Sequence, residues 1–270
     1  MSKITNGEAL GMTLAEYIEL CGYDTVTPDY RAGERFPLLV KFIDAGDRLS
    51  VQVHPDDGYA RSVESDSGKT EMWYIVDAEE GAEIIYGLAE GIDRDSFALA
   101  VDACELDSAM KKVKVKKGES YFIPAGMLHA IGKGILIAEI QQNSDLTYRV
   151  YDYDRVGADG KKRELHTRKA LDVVRPYTEE EVNAIRYSRG YSEGMLANSD
   201  FFSVKRLAVA HEAELCAADR FMSVLCVEGG GYIEFEGEKF PIERGDSYFC
   251  PAKTGNFRAV GRMTLICSEA

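Results

Sequence analysis

Ser50, Gln52 and His54 alternate with Leu49, Val51 and Val53 in the run LSVQVHPDD. Along an extended strand successive side chains point to opposite faces, so one face of this run is apolar and the other carries a hydroxyl, an amide and an imidazole. A buried amide or imidazole without a partner costs about 2–7 kcal/mol on transfer scales, so the polar face needs partners from elsewhere in the chain. Two stretches supply them. In KTEMWY the same alternation sets Lys69, Glu71 and Trp73 on one face, and His129 follows a Pro-Ala-Gly turn in FIPAGMLHAIG. Gln52, His54, Glu71 and His129 together offer two imidazoles, a carboxylate and an amide oxygen. That set suits zinc or a similar borderline divalent metal and has too few oxygens for calcium. With one anionic ligand the site keeps a net charge of about +1, which leaves the metal a Lewis acid with affinity for anionic oxygens.

The elements that must position these residues read mainly as strands. FPLLVKFIDAG, DRLSVQVHP, TEMWYIVDA, AEIIYGL, KVKVKKG, ESYFIPAG, AIGKG and ILIAEIQQ are short, rich in Val, Ile, Tyr and Phe, and divided by Gly, Asp and Pro turns, the pattern of a β-sandwich or barrel. Helices are expected over 13–21, 167–174 and 178–186. Thr13 with Glu16, and Thr178 with Glu181, have the spacing of a capping box. An internal echo joins KGESYFIPAGMLHAIGKGILI (117–137) to RGDSYFCPAKTGNFRAVGRMTLI (244–266) and implies two similar barrels. The second copy carries Asn256, Phe257 and Arg258 where the first carries His129, so a metal is expected in the first barrel only. The glycines at 229–231 precede a strand rather than a helix with Lys-Ser and read as a hairpin turn. His166 and His211 have no donor partners nearby in sequence and read as surface residues.

Composition narrows the class of protein. With 270 residues and 45% hydrophobic content the chain can bury a sizeable core as one large domain or two small ones. It shows neither an apolar run long enough for a membrane span nor a signal-peptide segment, so a soluble, cytoplasmic protein is expected. Cys21, Cys104, Cys216, Cys226, Cys250 and Cys267 form no C-x-x-C pair and read as buried thiols in a reducing compartment. A net charge of −14 argues against nucleic-acid binding and requires that an anionic ligand be captured by local Lys or Arg.

Taken together and in this order, LSVQVHPDD, GKTEMWY, FIPAGMLHAIG and IAEIQQNSDLTYRVYDYDR resemble the type I mannose-6-phosphate isomerases in their short bacterial form, over nearly the whole chain. The resemblance implies a mainly β fold of two cupin (jelly-roll) barrels with a few short helices. It divides into a metal-binding catalytic cupin domain with the N-terminal helix over 1–155, a helical connector over 156–195, and a C-terminal cupin-like domain without metal over 196–270. It implies one zinc per chain on Gln52, His54, Glu71 and His129, and interconversion of mannose 6-phosphate and fructose 6-phosphate through an enediol. The family's pocket residues carry over onto Ser50, Lys69, Asp145 and Arg149. Of these, Lys69, Asp145 and Arg149 are read as catalytic, and Ser50, Lys69 and Arg149 as substrate-binding. Positive charge at the metal is expected to push Lys69 towards its neutral form. The expected partner is a small sugar phosphate, with neither nucleic acid nor membrane, for a monomer or weak homodimer. The chain lacks the long helical insertion of larger members, which leaves its cleft more open. A non-catalytic metal-containing cupin that binds sugars is the alternative. It would keep the metal ligands but has no need of Lys69, Asp145 and Arg149. An iron-dependent cupin oxygenase would not normally use Gln52.

Overall fold

The computed structural model of the chain describes residues 2–7, 9–103, 105–156 and 160–270. In chain order α1 (Leu14–Cys21) precedes β1 (Leu38–Ala45), β2 (Val51–Val53), α2 (Asp57–Val63), β3 (Glu71–Ala78), β4 (Glu83–Leu88), α3 (Arg94–Asp102) and α4 (Leu106–Ala109). There follow β5 (Met110–Lys114), β6 (Ser120–Ile123), β7 (His129–Ile131), β8 (Ile135–Gln142), β9 (Tyr148–Tyr151), α5 (Thr167–Val173) and α6 (Glu179–Arg186). The chain ends in β10 (Met195–Asn198), β11 (Ser203–Val209), β12 (Glu212–Ala217), β13 (Met222–Phe235), β14 (Glu238–Glu243), β15 (Ser247–Cys250) and β16 (Gly255–Glu269).

Both capping boxes form. Thr13 and Thr178 accept the backbone N–H of Glu16 and Glu181, whose carboxylates reach back to the threonine N–H groups. Helices α2 and α3, which the strand-rich reading did not anticipate, begin at aspartates. Asp56 accepts from Tyr59 N–H and Asp93 from Ser96 N–H. The glycines at 229–231 are not a hairpin turn but lie inside the long strand β13; the turn falls after Phe235. Gly229 and Gly231 are there because β16 comes too close for side chains: a Cβ on Gly229 would stand 2.1 Å from Arg262 O, and one on Gly231 2.1 Å from Val260 O.

The chain divides into two compact units. The larger comprises Pro37–Tyr191 with Ala197–Phe201, and the smaller Met1–Phe36, Ser192–Leu196 and Phe202–Ala270. This partition cuts across the three-part division drawn from the sequence, because the N-terminal segment is tied to the C-terminal strands. Phe221 N–H donates to Val26 O, Ala252 N–H donates to Thr25 O, and Lys253 pairs with Asp24. Helices α5 and α6 fall within the larger unit.

The larger unit contains two antiparallel sheets, β1-β8-β3-β6 and β5-β4-β7-β2-β9. The smaller has one sheet ordered β10-β11-β16-β13-β14, with β12 added on β16 and β15 on β13. None of these ladders closes on itself among the described residues, so the fold is mainly β with open sheets of cupin type. In the larger unit the space between the sheets is filled by side chains and not sealed by backbone hydrogen bonds. Val51 and Val53, fully buried, pack with Phe97, Leu106, Ala109, Leu128, Val150 and Ala170, so α3, α4 and α5 cover the apolar face of the β2 sheet. Burying a Val side chain stabilises by about 1.5–3 kcal/mol, and this packing fixes which face of β2 turns inward. No described helix is long and apolar enough to cross a membrane.

Candidate metal centre

With Val51 and Val53 turned to the helices, Gln52 and His54 are directed the other way, into the space between the sheets. Register then gathers the rest of the polar row. Gln52 stands opposite His129 on β7 and opposite Arg149 on β9, and His129 stands opposite Tyr86 on β4. Cross-strand partners share a face, so Tyr86, His129, Gln52 and Arg149 project together. The facing sheet presents Glu71 from β3, with Lys69 and Trp73 on the same side, as alternation predicts. Lys69 Nζ lies 3.0 Å from Glu71 Oε1, and the Trp73 ring meets the His129 ring edge-on at 5.4 Å.

His54, Glu71 and His129 converge on a common centre and are wholly buried or nearly so. The two Nε2 atoms are 3.1 Å apart, His54 Nε2 is 3.2 Å from Glu71 Oε1, and His129 Nε2 is 3.6 Å from Glu71 Oε2. Ligands about 2.0–2.1 Å from a tetrahedral ion are separated by about 3.3–3.4 Å, so the set is spaced as a four-coordinate site requires. Gln52 reaches the same centre, its amide 3.3 Å from His129 Nε2, and a simple flip of that amide exchanges its nitrogen for its oxygen there. His129 Nδ1 lies 2.9 Å from Met127 O, which places the ring proton on Nδ1 and leaves the Nε2 lone pair facing the centre. Both Glu71 oxygens lack a well-angled hydrogen bond despite the Lys69 ammonium beside Oε1, as does His54 Nδ1. Orphaned buried carboxylate oxygens facing two imidazole nitrogens are what a divalent cation would satisfy.

The electrostatics agree. Burial, and then the Lys69 charge, lowers the His54 pKa to about 3, and burial lowers that of His129, so both rings are neutral and able to ligate. Burial opposes ionisation of Glu71, yet Lys69 and His54 hold its carboxyl well below the usual range. Burial works against the charge of Lys69, but Glu71, Glu139 and Asp145 outweigh it and raise its pKa above the ordinary lysine value. Among the protein's own groups Lys69 is a charged donor and not a neutral base.

Ser50 is buried at the start of β2 and Arg149 half-buried on β9, whereas Asp145 is exposed. The carboxylate close to Arg149 is Asp152, not Asp145. Asp152 takes hydrogen bonds from Arg155 and Arg163, which hold its carboxyl low against its burial. Burial, and then the charge of Arg163, lowers the Arg149 pKa, and Arg149 Nε is buried without a partner. Three guanidiniums around one carboxylate leave local positive charge in a chain of net charge −14.

Sequence reasoning missed Lys41, Glu139 and Gln141. Buried Glu139 accepts from Trp73 Nε1 and from Lys41 Nζ, each at 2.9 Å, and Lys41 also donates to Gln141 Oε1. Burial, and then Glu71, pushes the Glu139 carboxyl up. The signal was legible: in ILIAEIQQ, Glu139 and Gln141 alternate with Ala138 and Ile140, just as Gln52 and His54 alternate with Val51 and Val53. His166, read as a surface residue, is half-buried against Arg149, whereas His211 is exposed. Of the thiols, Cys226, Cys250 and Cys267 are buried, but Cys21 and Cys216 are exposed, at the end of α1 and on β12 respectively. Cys104 lies outside the described residues.

Facing antiparallel sheets that enclose a histidine-carboxylate cluster able to hold a metal define a cupin-type β-protein. Comparison with known proteins narrows this class. The family described as phosphomannose isomerase type I, catalytic domain, matches residues 1–90, and that described as mannose-6-phosphate isomerase, cupin domain, matches residues 192–270. The chain is 38% identical over 273 residues to the mannose-6-phosphate isomerase ManA of Bacillus subtilis, covering 99% of this chain and 85% of that protein. It is 36% identical over 275 residues to a mannose-6-phosphate isomerase of Streptococcus mutans, covering 100% and 84%. The crystal structure of a mannose 6-phosphate isomerase from Bacillus subtilis superposes with a TM-score of 0.87 at 36% identity, covering 100% of this chain and 85% of that one. The chain belongs to the type I phosphomannose isomerase family.

Proposed function

We propose that the chain interconverts mannose 6-phosphate and fructose 6-phosphate, with one zinc ion held by Gln52, His54, Glu71 and His129 in the larger, cupin-type unit. The observation that carries this reading is the buried His54–Glu71–His129 cluster with Lys69 charged against Glu71, in a chain that resembles mannose-6-phosphate isomerases over nearly its full length. When bound, zinc would supply Lewis acidity towards the oxygens of the substrate, worth several kcal/mol in such sites.

The chain's own groups have separate tasks. Moving hydrogen between C1 and C2 requires an opened ring, a polarised carbonyl and control of the negative charge of an enediolate. Lys69, held as an ammonium, donates to a substrate oxygen and returns a proton to it. Asp145, exposed at the rim, accepts the hydroxyl proton on ring opening. Arg149, with its free Nε and the arginines around Asp152, balances phosphate or enediolate charge and meets the requirement for local cations. Ser50 hydrogen-bonds a sugar or phosphate oxygen. The reading sets the reaction in the cytoplasm, for which the free thiols of Cys21 and Cys216 are the support. A coupled assay that follows fructose 6-phosphate from mannose 6-phosphate tests it: turnover is expected, lost to a chelator and restored by zinc. Full turnover in protein verified to be metal-free would overturn the role of the metal.

A further inference from the structure

One short segment occupies both backbone polar groups of Arg149 and one end of its guanidinium. His166 N–H donates to Arg149 O at 2.7 Å, Arg149 N–H donates to the imidazole Nδ1 of His166 at 3.4 Å, and Arg149 Nη1 donates to Glu164 O at 3.0 Å. β9 is the edge strand of its sheet, with β2 on its other side. Residues 164–166 therefore stand in for a further strand at this one position, and the imidazole nitrogen takes the place of a backbone carbonyl acceptor. Accepting at Nδ1 requires the neutral ring with its proton on Nε2. The segment is anchored downstream as well. Lys169 Nζ lies 2.6 Å from Glu64 Oε1, which also accepts from Tyr148 OH at 2.8 Å, so the helix that follows the segment is tied to the residue beside Arg149. A guanidinium is a rigid planar fork. With Nη1 held by Glu164 O the plane is set, and the unpartnered Nε is the buried donor left for an anionic oxygen.

We propose that His166 is the positioning residue for Arg149: its Nδ1 and backbone N–H fix the point on β9 from which the guanidinium meets the negative charge of the substrate. This rests on the reading that Arg149 acts in the isomerisation. His166 itself touches no reacting atom.

The test uses the zinc-loaded chain and pairs two polar replacements. Asparagine in His166→Asn carries Oδ1 where the imidazole has Nδ1, whereas glutamine in His166→Gln reaches to the place of Nε2 and leaves Arg149 N–H without its acceptor. His166→Gln is expected to lower kcat/KM by about 10-fold to 100-fold, the scale of a misplaced charged group, and in the same parameter, kcat or KM, that Arg149→Ala lowers. His166→Asn is expected to stay within about threefold of the parent. Adding His166→Gln to Arg149→Ala should cost nothing further, because the group it positions has gone. If His166→Gln does not fold or hold zinc, His166→Ala is read in the same way. Losses that multiply in the double variant, or an Asn variant as impaired as the Gln variant, overturn the positioning role while the reading of Arg149 stands. An Arg149→Ala chain with undiminished kcat/KM overturns both.

Discussion

Lys69 and Glu71 form a buried ion pair 3.0 Å long, and removing one member of such a pair strands the other. Lys69→Met keeps the bulk of the stem and deletes the charge. Turnover is expected to fall by about 10²–10⁴-fold, the range for a lost acid-base group. In metal-free protein the same change is expected to cost about 3–5 kcal/mol of stability, because Glu71 remains buried and ionised, and a bound divalent ion should return much of that loss. Steady-state turnover together with urea unfolding, with and without zinc, checks both. Turnover within about threefold of the parent would remove Lys69 from the chemistry. His54 makes a pH-dependent prediction. Its folded pKa of about 3 lies below the ordinary 6.5, so below 6.5 the unfolded chain binds a proton that the folded chain refuses. Metal-free stability should therefore be insensitive to this group above 6.5 and fall as pH drops towards about 3, by about 2 kcal/mol from His54 alone at about pH 5. His54→Gln should flatten that slope in urea titrations of chelated protein, and an unchanged slope would show that His54 is not the group refusing the proton.

At the scale of elements, the turn that delivers Lys69 to the site is packed against the start of α2. Lys69 N–H donates to Pro55 O, and Gly68 N–H donates to Asp57 Oδ1 at 2.7 Å. A Cβ on Gly68 would stand 2.4 Å from Asp57 N and 2.5 Å from the carbonyl carbon of Asp56, both backbone atoms that cannot swing aside. Gly68→Ala must push the turn away from α2 and carry Lys69 with it. The expected result is a loss of about 1–3 kcal/mol, typical of forced overpacking, accompanied by lower turnover with zinc still bound. Thermal unfolding, zinc content and kcat measured on one preparation separate this from general destabilisation, in which zinc would be lost as well.

For the whole molecule, the His54–Glu71–His129 cluster and the distribution of thiols make countable predictions. The second repeat carries Asn256, buried Phe257 and Arg258 about the place where the first has His129, so metal analysis should find one tightly held divalent ion per chain, lost in His129→Ala. Two ions per chain would contradict the asymmetry of the repeat. Burial pushes the thiols of Cys250 and Cys267 up to about 12, and Cys226 is also raised by burial, whereas Cys21 and Cys216 face solvent. In a Cys104→Ser background a thiol reagent should modify Cys21 and Cys216 in the folded chain and reach Cys226, Cys250 and Cys267 only after denaturation. Rapid reaction of a third thiol under native conditions would place one of the buried cysteines at the surface.

Local alternation determined much of the site. Because a strand has a period of two, LSVQVH and KTEMW by themselves set Gln52 with His54, and Lys69 with Glu71 and Trp73, on shared faces. The threonine-glutamate spacings likewise placed the starts of α1 and α6, since a capping box is closed within four residues. What lay beyond sequence were the encounters between distant strands. Lys41 meets Glu139, Glu71 meets His54 and His129, and His166 meets Arg149 only because particular sheets face each other and one segment runs along the edge of β9. The charge state of Lys69 belongs with these. Alternation shows which residues are its neighbours on one strand, but the balance between burial and the carboxylates of Glu71, Glu139 and Asp145 depends on distances that only the packed fold sets. The open sheets, and the union of the N-terminal segment with the C-terminal strands, were decided in the same way, by long-range pairing whose partners no local pattern names.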